Sequence, residues 1–235
     1  MFRPQAVLAL VLVFSLSLLP LHGSPAPAPV IGTVTSATSA RVGATTASVG
    51  STVFGGDFIS TEKFGSIQVR AGAARLLLSG ASSAALGQRD GIPSATLASG
   101  TAVFSTANAK AFVLHAATAD IRPKADGPTV GQVTYVSDKE LRVRSTRGAL
   151  AITVDGETKF IADGTAYRVI LDPDAYYAAN PAAAQGPEGS GTKGHKEPRR
   201  AGRSRFLLIA ISVVSVATGI ALYEAWVSPD GSHGP

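Results

Sequence analysis

The chain contains no cysteine. Disulfide scaffolds, thiol nucleophiles and cysteine-ligated zinc are therefore excluded. It has one Met and one Trp, and aromatics make up only 6% of its 235 residues. Any core must be built from aliphatic and small side chains. Charged residues are scarce too, at 16% against a hydrophobic share of 45%, which is not the composition of a disordered chain. Four histidines are present, and no two stand at a zinc-ligand spacing. His22, His195 and His233 fall near the ends or in a linker. His115 alone falls in the middle section, at a strand end, where a surface or half-buried histidine is the simple reading. There is no Gly-x-Ser-x-Gly elbow and no Asp-rich calcium loop. Gly189 to Gly194 resembles a phosphate loop, but it sits in a spacer rather than between a strand and a helix. The expectation is a non-enzyme without metal or cofactor.

What the chain does have is two long apolar runs. Residues 6–19 carry no charge and are mostly Leu, Val and Ala, with Arg3 before them and Pro20, Gly23 and Ser24 after. A positive start, a short apolar stretch and then small residues describe a secretory signal peptide. Residues 206–223 form the second run, eighteen uncharged positions ended by Glu224. About 20 residues of helix cross a bilayer, and Tyr223 and Trp226 stand where interfacial aromatics belong. Lys193, Lys196, Arg199, Arg200, Arg203 and Arg205 precede this run. These six suit the anionic headgroups of a membrane surface. The export signal places that basic flank outside, whereas the positive-inside rule places it in the cytoplasm. Export acts first, so a periplasmic domain on the inner membrane is expected, with a cytoplasmic domain as the alternative.

The organisation then reads as a signal peptide at 1–26, a β domain at 27–180, a Pro/Gly-rich and then basic linker at 181–205, a transmembrane helix at 206–227 and a short tail at 228–235. The β assignment rests on period-two alternation in Ser66-Ile67-Gln68-Val69-Arg70, in Leu141 to Arg144 and in Tyr167 to Val169. Asp90-Gly91, Asp126-Gly127, Asp155-Gly156 and Asp163-Gly164 punctuate it with turns. Residues 150–161 around Asp155-Gly156 are the clearest hairpin. No segment of the domain shows a sustained helical stripe. The fold class is all-β: a thin, elongated β-helix or solenoid-like domain, or a sandwich, of short strands. Arg142, Arg144 and Arg147 read as the solvated face of one strand. Residues 30–180 hold 14 basic and 12 acidic side chains, a balance that does not point to nucleic acid.

Residues 50–70 resemble the signature of the FecR domain family. The matching positions are Gly56-Asp57, Ile59, Thr61, Gly65 and the alternating Ile67 to Val69. Residues 97–104 are similar to a later strand of the family, and the likeness covers about residues 30–115. The physical content of these positions is structural. Gly55 and Gly56 allow a bend, Asp57 can hydrogen-bond neighbouring amides, and Thr61 can cap the same corner. The resemblance implies an extracytoplasmic binding or scaffolding module of a bacterial envelope. Its partners would be the membrane and another envelope protein or a polysaccharide. The alternative is a transmembrane signalling protein. Known members place a cytoplasmic region before the helix and the β domain after it, an order that this chain reverses.

Overall fold

The computed structural model describes residues 28–180 and 204–211. In chain order the elements are β1 (Val30–Val42), β2 (Thr45–Thr46), β3 (Thr52–Phe54), β4 (Phe58–Ala71), β5 (Ala74–Arg89), β6 (Ile92–Thr106), β7 (Val113–Ala116), β8 (Ala119–Pro123), β9 (Thr129–Ser137), β10 (Glu140–Arg147), β11 (Leu150–Val154), β12 (Glu157–Ile161), β13 (Ala166–Ile170), a short helix α1 (Pro173–Ala179) and β14 (Leu207–Ile211). All strands belong to one sheet. The all-β expectation is met. Stacked parallel coils are not: every pairing among the described residues is antiparallel except that of β6 with β7.

Four strands are long rather than short, because each runs through a corner. β1, β4, β5 and β6 all break register at one level: between Thr38 and Ala40, Ser60 and Ser66, and Ser79 and Ser83. Ser39, Gly80, Ala81 and Gly100 have positive φ there, at 44, 60, 50 and 78°. Such irregularities let a strand turn from one layer into another. Before the corner β6 pairs with β7 through Ser94 to Leu97. After it β6 pairs with β9 through Thr101 to Thr106. The sheet thus divides into two leaves. One continues β6-β7-β8-β11-β12, the other β6-β9-β10-β13-β14.

The inner faces supply the core. Ile59, Ile67, Val69, Leu78, Ala102 and Phe104 are fully buried, at period two along their strands. Each large aliphatic among them contributes about 1.5–3 kcal/mol by leaving water. Phe104, Phe112 and Phe206 are the bulkiest buried side chains. Phe104 and Phe112 meet at 6.0 Å, centroid to centroid. Gly131 makes room for the first: a Cβ there would lie 2.6 Å from the Phe104 ring and 3.1 Å from Leu150 of the opposite leaf.

Buried hydroxyls complete the corner. The Ser82 N–H donates to Thr61 Oγ1 at 3.0 Å, and the Thr101 N–H donates to Ser82 Oγ at 2.7 Å. Both side chains replace ladder bonds that the bend removes, as buried amides require. A Cβ on Gly65 would sit 2.2 Å from the Ser39 carbonyl oxygen, so only glycine lets β1 and β4 approach here.

The hairpin expected at 150–161 is present, with Leu150 opposite Ile161 and Val154 opposite Glu157. Asp155 and Gly156 both have positive φ, 48 and 82°, the left-handed pair that a tight two-residue hairpin needs. Arg142 is exposed while Leu141 and Val143 are buried, as alternation predicts. Arg144 is only half-exposed, with its Nε buried, and Arg147, which shares the parity of the buried face, is exposed where the register shifts after Ser145.

Two expectations are corrected. A helix does occur in the domain. Asp172 caps α1 by accepting from the Ala175 N–H at 3.0 Å, and Pro173 occupies the first turn. More importantly, the helix expected from residue 206 does not start there. Leu207–Ile211 is a strand, antiparallel to β13, with Val169 opposite Leu208 and Arg168 opposite Ile209. An uncharged aliphatic stretch satisfies strand and helix alike, and the open edge of β13 decides for the strand. No helix among the described residues is long and apolar enough to cross a membrane. Residues 1–27, 181–203 and 212–235, where the signal peptide, most of the linker, the rest of the apolar run and the tail are expected, lie outside the described residues.

Candidate functional site

β10 begins and β13 ends at the same edge, and α1 folds back over it. A cleft of about 330 Å³ lies between them, lined by Ser137, Lys139, Glu140, Arg168, Asp172 and Tyr176 among others. Register explains its chemistry. Arg142 stands directly opposite Arg168, and Glu140 lies diagonally, two residues along. Arg168 turns to Glu140 in a two-pronged bond, Nε to Oε1 at 2.8 Å and Nη2 to Oε2 at 2.7 Å. The guanidinium holds the Glu140 carboxyl below its ordinary value, and Arg142 adds to the effect. Glu140 in turn raises Arg168. The second carboxylate, Asp172, is held low by the Ala175 N–H and by Lys139, whose Nζ lies 3.0 Å away. Both acids therefore carry fixed charge at neutral pH, each with its own cation. Such a cleft can position a polar ligand through paired donors and acceptors. It offers no carboxyl poised to exchange a proton near neutrality.

The leaves meet again at their far ends. Phe206, just before β14, is fully buried, and Lys159 of β12 lies 4.4 Å over its ring. Lys159 also donates to Ser204 Oγ at 2.5 Å and to the Phe206 carbonyl. Glu157 accepts from Ser204 Oγ at 3.0 Å and from the Arg205 N–H at 2.6 Å. The Arg205 amide, then the Ser204 hydroxyl and Lys159, hold the Glu157 carboxyl below its ordinary value. Arg205 Nη1 approaches Asp155 at 4.0 Å. Arg205 is therefore part of the domain and not of a linker. Lys193, Lys196, Arg199, Arg200 and Arg203 lie outside the described residues.

The motif residues separate into two places, neither in the cleft. Gly56, at φ 96°, and Asp57 form the turn before β4. Asp57 Oδ2 accepts from the Phe54 N–H at 2.8 Å, and the Gly56 N–H donates to the Leu86 carbonyl at 2.8 Å, tying this turn to β5. Thr61 does not cap that turn; with Gly65 it belongs to the corner of the four long strands. His115 meets Asp120, its cross-strand neighbour, at 2.5 Å and is half-buried. No group of three or more His, Asp or Glu able to hold a metal occurs among the described residues.

No family model matches the chain, and no curated protein matches it. Two crystal structures of a candidate anti-sigma factor from Parabacteroides distasonis ATCC 8503, at 2.50 and 1.65 Å resolution, are similar to it at 15% identity. Each aligns with a TM-score of 0.41 over 48% of this chain and 54% of the other. The chain thus spans about half the length of those structures.

Sequence reasoning missed Glu140, Arg168, Lys139 and Asp172. Only Asp172-Pro173 carries a local signal, an N-cap followed by Pro at the first helical position. Glu140 and Arg168 are ordinary positions of alternating strands, and Lys139 is a residue of the turn between β9 and β10.

Proposed function

We propose that the protein is a membrane-tethered, extracytoplasmic binding or scaffolding module of a bacterial cell envelope, of FecR type and without catalytic activity. The observation that carries the binding role is the cleft beside α1, where Glu140–Arg168 and Asp172–Lys139 present charges already paired and fixed in place. Paired charges of this kind recognise polar surfaces, of a protein or a polysaccharide, without proton transfer. The tether rests on the hydropathy of residues 206–223 and the basic residues before them. The periplasmic side of the inner membrane follows from the apolar N-terminal run.

The test is fractionation of the full chain followed by protease added to spheroplasts. The domain should sediment with membranes and be cut only once the outer membrane is opened. A soluble protein, or one protected in intact spheroplasts, overturns the localisation. Binding is read by titrating envelope polysaccharide fractions and detergent-extracted envelope proteins onto the chain. Arg168→Ala should abolish capture, and capture unchanged by it removes the cleft from the reading. A second reading, signalling across the membrane, is favoured by one observation. Residues 204–211 are woven into the sheet, so nothing slack separates the domain from residue 212.

A further inference from the structure

The apolar run that suits a membrane and the strand that completes the sheet overlap in sequence. Residues 206–211 are counted in both. With Phe206 and β14 docked, residues 212–223 remain before Glu224, twelve positions. As a helix they reach about 18 Å, well short of the bilayer's hydrocarbon core of about 30 Å. With residues 206–211 restored the run has eighteen positions and reaches about 27 Å. Continuing past residue 223 instead draws the Glu224 carboxylate into hydrocarbon. The same six residues are needed twice.

The docked state is built to be left. β14 pairs with β13 alone. Of its apolar side chains, Leu207, Leu208, Ile209 and Ile211 stay half-exposed, and only Phe206 before it is fully buried. The sheet therefore withholds from these side chains the full burial that a bilayer would give. What holds them otherwise is the polar clasp of Lys159 and Glu157 on residues 204–206. We infer that docking of residues 204–211 onto β13 and complete membrane insertion of the apolar run are mutually exclusive states of one segment. The tether is then a switch: insertion strips β14 from the domain, and docking shortens the span. This inference rests on the membrane-tether reading above.

The cysteine-free chain permits a direct test. Tyr167→Cys with Ala210→Cys joins cross-strand partners of β13 and β14. Thr153→Cys with Thr158→Cys joins partners in the β11–β12 hairpin and serves as the control. Facing strand residues lie within disulfide reach. Each full-length variant is expressed, oxidised and divided by alkaline carbonate into resistant and extracted pools. The control bond should form equally in both. The 167–210 bond should be lower by about tenfold or more in the resistant pool. Oxidation before membranes are offered should leave that variant in the extracted pool, and reductant should restore insertion. Equal 167–210 bonding in the two pools overturns the switch while leaving the tether intact. If even the unmodified chain is wholly extracted, the tether reading fails, and the switch fails with it.

Discussion

The two ends of the sandwich are closed by different physics. At the corner, β1, β4, β5 and β6 pass from leaf to leaf as continuous backbone, pinned by neutral hydroxyls on Thr61 and Ser82. At the far end β12 and the start of β14 share no strand pairing: the Lys159 and Glu157 side chains reach the Phe206 ring, the Ser204 hydroxyl, the Phe206 carbonyl and the Arg205 N–H. One closure cannot open without unfolding four strands. The other is a set of exchangeable contacts on an edge. Opening the second seam would take Phe206 out of the core but leave the buried residues of β4, β5 and β6 paired as before.

Substitutions distinguish the two seams. Gly100→Val should have the largest effect. Its φ of 78° disfavours a side chain, and a Cβ would lie 2.2 Å from Ser82 Oγ. A global loss of about 3 kcal/mol or more in urea unfolding is expected. Ser82→Ala leaves the Thr101 N–H without its acceptor and should cost about 1–3 kcal/mol, again over the whole transition. Lys159→Ala removes the cation above Phe206 and the hydrogen bond to Ser204, at a cost of about 1 kcal/mol. Its mark should be local: amide exchange of β13 and β14 should quicken while that of β4 and β5 holds. If β4 exchanges equally faster, the seams are not separate.

Glu140 is held below its ordinary value of 4.5 by Arg168, so its contribution is fully present above that pH. It is lost as pH falls through the lowered value. Stability of the wild type should drop below pH 4.5, and Glu140→Gln should flatten that part of the curve. An unchanged slope would show that the pair is silent in folding. The smallest effect belongs to Phe64, 88% exposed on the outside of the corner. Phe64→Ser should move stability by less than about 0.5 kcal/mol.

The comparison also shows what could be read in the sequence. Local signals were legible: Asp155-Gly156 sets a hairpin, and Leu141 to Arg144 alternates because one face is buried. The corner was not. Ser39, Gly65, Gly80 and Gly100 are far apart in the chain and meet only through register, so each alone looks like a loop glycine or serine. The charged cleft was hidden likewise, since Glu140 and Arg168 come from strands joined through a third hairpin. The apolar run at 206 misled for another reason. Hydropathy measures how much a segment prefers to leave water and is indifferent to whether a sheet edge or a lipid receives it.

The order of synthesis gives the removable seam a kinetic meaning. β4, β5 and β6 are joined by tight turns and can pair as soon as each leaves the ribosome. β14 follows β13 by 36 residues, so its pairing closes the longer loop and comes later. Until then Ala166–Ile170 is a bare strand edge in an otherwise assembled domain, open to any extended peptide that arrives first.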